Sequence, residues 1–77
     1  MNTMTDERND ALQEVMLKAM RAHAHGHIQK HKMNVEIYLN NPAGIGEHPD
    51  VFEAMETEIL EMAKYNDVLE MLDKYFS

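Results

Sequence analysis

Apolar residues recur at helical spacing through the first half of the chain. One ridge runs Leu12, Met16, Met20, Ala24, Ile28 in steps of four. Beside it runs Ala19, His23, His27, His31, Val35, Leu39, and together they make one broad stripe down a helix of about residues 5–39. The reverse side, Lys18, Ala22, His25, Gln29, Lys32 and Glu36, is mostly polar, as contact with water requires. Thr5 can cap this helix, with Asp6 and Glu7 suited to the positive end of its dipole. Gly26 costs about 1 kcal/mol in a helix interior relative to alanine. Close approach of a facing helix accounts for it, a bend being the alternative.

The segment from Asn40 to Pro49 stops this helix. Asn40 or Asn41 can take the left-handed terminal conformation, and Pro42 prevents further helical pairing. Ile45, between Gly44 and Gly46, is placed to plug the end of the helix pair. Gly44-Ile45-Gly46 has neither a preceding strand nor the lysine of a phosphate loop, so it does not argue for nucleotide binding. A second helix, about residues 50–76, begins where Asp50 and Glu53 have capping-box spacing, with Glu47 and His48 shaping the approach. Its apolar positions are Phe52, Met55, Ile59, Met62, Tyr65, Leu69, Leu72 and Phe76, in coiled-coil-like steps of three and four. The stripe passes unbroken through Asn66 and Asp67, which predicts one long helix. Its outer face carries Glu53, Glu56, Glu61, Lys64 and Glu70.

The expected fold is therefore all-α: one domain, residues 1–77, an antiparallel hairpin of two long helices joined by a loop of about residues 40–49. Helices of roughly 50 and 40 Å cannot between them cover two broad apolar stripes. Self-association into a helical bundle, most simply a homodimer of four helices, is the expected remedy, and docking onto a larger partner is the other. A 77-residue chain buries only about 60% of its unfolded surface, and without cysteine it has no disulfide to compensate. The expected interaction surface comprises Leu12, Met16, Met20, Ala24, Ile28, Val35, Phe52, Met55, Ile59, Met62, Tyr65, Leu69, Leu72 and Phe76. Eight methionines, four of them on these faces, suit either an adaptable interface or an irregular core.

Charge changes the picture along the chain. Residues 1–39 carry five acids and five Lys/Arg, whereas residues 40–77 carry nine acids and only Lys64 and Lys74, the whole net charge of −7. No acid lies between Val15 and Val35, where Lys18, Arg21, Lys30 and Lys32 accompany four histidines. A basic middle folding against an acidic second half is the plainest interpretation. Nucleic acid is not the expected partner, given the acidic balance and the lack of interleaved aromatics. DNA mimicry by the acidic second helix stays open as an alternative, although its carboxylates have no obvious duplex-like spacing. The amino terminus lacks the cationic start and apolar stretch of a secretory signal, and no run reaches the length of a membrane span. A soluble protein inside a cell is expected.

The chemistry-bearing feature is the histidine row. His23, His27 and His31, each four apart, share one helix face. One reading is metal coordination, zinc or another divalent transition metal, completed by a carboxylate of the second helix. The other is that the imidazoles sit at the margin of an interface, hydrogen-bonded to carboxylates or water. The second is preferred, so no cofactor is expected, because Glu-x-x-His and His-Glu-x-x-His are both absent. Antiparallel pairing puts His31 near Ile59, His27 near Met62 and Ala63, and His23 near Asp67 or Glu70, so that only His23 gains an anionic neighbour. Enzyme activity is not expected: the only serine is Ser77, cysteine is absent, and His48 has no evident acid–base partner.

The stretch from His31 to Pro42, its continuation from Gly44 to Asp50, and the closing Leu69 to Phe76 resemble small proteins of tailed phages of marine cyanobacteria and related marine bacteria. The resemblance covers about residues 28–77, and no catalytic or ligand motif defines that group. It implies a phage protein in the host cytoplasm that binds a host protein, or alternatively a small capsid or tail accessory subunit of the virion.

Overall fold

The computed structural model describes residues 3–41 and 50–77, with side chains from residue 9 onward. It is an all-α helical hairpin. Helix α1 runs Thr3–Leu39 and helix α2 runs Asp50–Phe76, the two packed against each other. The expected roles of Pro42, Gly44, Ile45, Gly46, Glu47, His48 and Pro49 fall outside the described residues.

The helix ends show why the chain turns here. Helix α1 starts at Thr3, so Thr5 lies within it and is not its cap. At the other end no described non-glycine residue has a positive φ, so neither Asn40 nor Asn41 takes the left-handed conformation. Instead Asn40 closes the last turn twice, its backbone N–H donating to Glu36 O at 3.0 Å and its side-chain Nδ2 at 2.8 Å. Asn41 N–H donates to Tyr38 O at 3.2 Å, a tighter three-residue closure. Helix α2 opens with Asp50 and Glu53 in its first turn and ends with Lys74 in its last, both matching the dipole. It is continuous through Asn66 and Asp67, and Asn66 Nδ2 donates to Glu70 Oε1 at 3.3 Å.

The seam between the helices follows steps of four and three. From α1 come Leu17, Arg21, Ala24, Ile28, His31, Val35 and Tyr38; from α2 come Val51, Met55, Glu58, Met62, Tyr65, Leu69 and Leu72. All are buried or half-buried. This differs from the expected α1 stripe. Leu12, Met16, Ala19, Met20, His23 and Leu39 are exposed, as are Phe52, Ile59 and Phe76 on α2. A row of strict four-residue steps drifts about 40° per step around a helix of 3.6 residues per turn. Alternating steps of four and three stay beside one partner. Reach matters too: Arg21 pairs with Asp73 near the end of α2, so Leu12 and Met16 lie beyond the shorter helix.

Only Ala24, at 0% exposure, and Leu72, at 8%, are buried among the described residues. The chain measures 67 × 17 × 13 Å with a radius of gyration of 18.8 Å, against about 11–12 Å for a globular domain of this length. Gly26 meets no close approach: an added Cβ would find nothing within 4 Å. Gly26→Ala is therefore expected to stabilise the hairpin by about 0.5–1 kcal/mol. The urea midpoints of the two chains, compared at matched concentration, read this.

Candidate functional site

Two features of the hairpin bear on function: the histidine row and the uncovered apolar surface. The seam's spacing brings His27 and His31 to its edge, and Tyr65 of α2 comes up against them. The His27 and Tyr65 rings stack with centroids 4.3 Å apart and planes within 10°. His31 is roughly parallel to Tyr65 at 6.4 Å, and His23 meets its edge at 5.9 Å. His23 and His27 contact each other edge-on at 4.4 Å. Lys64 Nζ lies 5.1 Å from the Tyr65 centroid, within cation–π range.

The expected anionic neighbour of His23 is not the one that forms. His31 is the histidine that pairs, its Nδ1 lying 2.5 Å from Glu58 Oε2, with side chains only 13% and 20% exposed. Glu58 also hydrogen-bonds Asn34. The register is not the cause, since Ile59, the expected neighbour of His31, is the next residue; the pairing differs because Glu58 is itself a seam position and Asp67 and Glu70 are exposed. The hydrogen bonds from His31 and Asn34 hold the Glu58 carboxyl below its ordinary value of 4.5, with burial opposing them. His27 is held below its ordinary 6.5, chiefly by burial and then by the neighbouring charges of His23, Lys30, His31 and Lys64. Its Nδ1 is buried without a hydrogen-bond partner, so a proton gained there has nothing to bind.

Among the described residues no three His, Cys, Asp or Glu side chains are grouped to hold a metal ion. In the row of His23, His27 and His31, His27 lies flat on Tyr65 and His31 pairs through Nδ1 with Glu58. Within the cluster, His27 is the imidazole whose protonation burial disfavours. The pairing of the basic middle of α1 with the acidic α2 is present in Arg21 Nη2 to Asp73 Oδ1 at 3.1 Å and in His31 to Glu58.

The expected interaction residues divide in two. Ala24 and Leu72 are buried, and Ile28, Val35, Met55, Met62, Tyr65 and Leu69 are half-buried in the seam. Leu12, Met16, Met20, Phe52, Ile59 and Phe76 are exposed, Phe52 at 74%. On one flank the helices leave an open groove of about 580 Å³ with Ile28, Val35, Ile59 and Met62 in its wall. Sequence reasoning missed Leu17, Arg21, Asn34, Tyr38, Val51 and Glu58 as seam or site residues. Testing for alternating four- and three-residue steps on α1 would have found Leu17, Arg21 and Tyr38, whereas Val51 and Glu58 sit one residue before Phe52 and Ile59, the positions the apolar stripe of α2 selects.

No described helix is long and apolar enough to cross a membrane. Comparison of the chain with protein families, curated proteins and solved structures finds no match.

Proposed function

We propose that this protein acts by protein–protein binding through its amphipathic hairpin, as a homo-oligomer, and not by catalysis. The observation that supports it is the thinness of the core. The chain exposes 6258 Å², whereas a globular monomer of 9.0 kDa exposes about 4,900 Å². The excess of roughly 1,400 Å² exceeds the roughly 800 Å² per partner of a standard interface. Among the described residues, two buried side chains and a half-covered seam leave too little apolar burial to offset the ordering of more than sixty residues.

The phage resemblance of residues 28–77 directs the reading toward a host protein met in the host cytoplasm, or toward a virion subunit. Recovery with a host protein from infected lysate supports the first, and presence in purified particles the second. Self-association is tested by sedimentation and thermal melting across a wide concentration range. The melting temperature is expected to rise with concentration, and helix content to fall on dilution. A compact monomer with a concentration-independent melt at nanomolar dilution overturns the reading.

A further inference from the structure

Helix α1 has a second face, opposite the seam. Leu12, Val15, Ala19, Ala22, Gly26 and Met33 follow one another in steps of three and four, with Gln29 between the last two, so they form a second line along the helix. All are exposed: Leu12 at 58%, Val15 at 64% and Met33 at 57%. Helix α2 packs on the seam side, and the space over Gly26 is empty.

We infer that this back face of α1 docks antiparallel against the same face of a second copy, with the two-fold axis at Ala22. This rests on the self-association proposed above and names its surface. The order of residues is self-complementary about that point. Ala22 meets Ala22, Ala19 meets Gly26, Val15 meets Gln29, and Leu12 meets Met33. Small residues therefore face small ones at the centre, where they allow the backbones to approach, and large apolar ones face each other at both ends. The contact runs about 32 Å along each helix.

Charge favours the same occupant. In this register Glu14 of one copy comes level with Lys30 and Lys32 of the other. Residues 10–14 of each α1, with the acids Asp10 and Glu14, pass over residues 30–34 of the other copy, which hold Lys30 and Lys32 and no acid. A parallel arrangement sets these like charges side by side instead. Gly26 is then explained by a facing helix that the single hairpin does not supply. The product is a four-helix layer with the two α1 helices at its centre and an α2 on each outside.

The chain has no cysteine, so Ala22→Cys tests the axis cleanly. Mild oxidation is expected to yield a disulfide-linked dimer rapidly, with the circular dichroism of the wild type, whereas Glu56→Cys on the outer face of α2 cross-links only slowly. Ala22→Glu sets two carboxylates against each other at the axis and is expected to weaken dimerisation on the order of a hundredfold by sedimentation. Ala22 is outside the seam, so the hairpin need not be disturbed; should Ala22→Glu unfold, the cysteine experiment still decides. A dimer that persists in Ala22→Glu, with Ala22→Cys linking no faster than Glu56→Cys, overturns this surface while leaving self-association standing. A wild-type chain monomeric at every concentration overturns both.

Discussion

Leu72→Ala is expected to unfold most of the population at room temperature. Leu72 is one of two buried side chains among the described residues, and truncating a buried leucine costs about 2–5 kcal/mol. Stability in a hairpin with so little burial is a small difference to begin with. The complementary change acts at Ala24, which has no exposed surface. Ala24→Leu adds three carbons where there is no room and pushes the helices apart, at about 1–3 kcal/mol. Both losses appear as reduced ellipticity at 222 nm and a lower urea midpoint. Leu60→Ala, at a side chain already 62% exposed, is expected to leave both within error. If Leu72→Ala melts like Leu60→Ala, the seam described here does not hold the hairpin together.

Acidification is the second large effect, and it has two stages of the same sign. His27 titrates below its ordinary 6.5 in the fold, so the unfolded chain binds the proton more readily. Its contribution to stability is complete above about pH 6.5 and is lost as pH falls through its lowered folded value. Glu58 is also held below its ordinary value, 4.5. Its contribution is complete above about pH 4.5 and disappears as pH falls through its own lowered value. Melting temperature is therefore expected to hold level above neutrality, fall from about pH 6.5 downward, and fall again below about pH 4.5. His27→Phe keeps a ring over Tyr65 without a titrating nitrogen and should remove the upper step alone. Glu58→Gln should flatten the lower step and leave the upper one. An upper step that survives in His27→Phe assigns it to other histidines and refutes the role given to this one.

The elements were legible in the sequence because their signals are local. Asn40 through Pro49 breaks any helix, Asp50 and Glu53 open the next one, and apolar spacing carries it through Asn66 and Asp67. The hairpin bounds follow from these, and the polar set Lys18, Ala22, His25, Gln29, Lys32 and Glu36 is exposed as its composition requires. The histidine row was legible as a row, but its neighbours were not. Placing His31 beside Glu58, and His27 under Tyr65, depends on which residues of α2 face the seam.

Sequence alone thus determined that the chain forms two long helices, where they break, and that a basic stretch of one faces the acids of the other. Tertiary structure decided which side of α1 meets α2, because several faces of that helix carry apolar residues and hydropathy does not rank them. Only contact with a particular partner helix, along steps of four and three that keep pace with it, selects Leu17, Ala24, Ile28 and Val35 over Leu12, Met16 and Met20. The unselected residues remain exposed for the same reason: a helix of 27 residues cannot run the length of one of 37 or reach around to its far side.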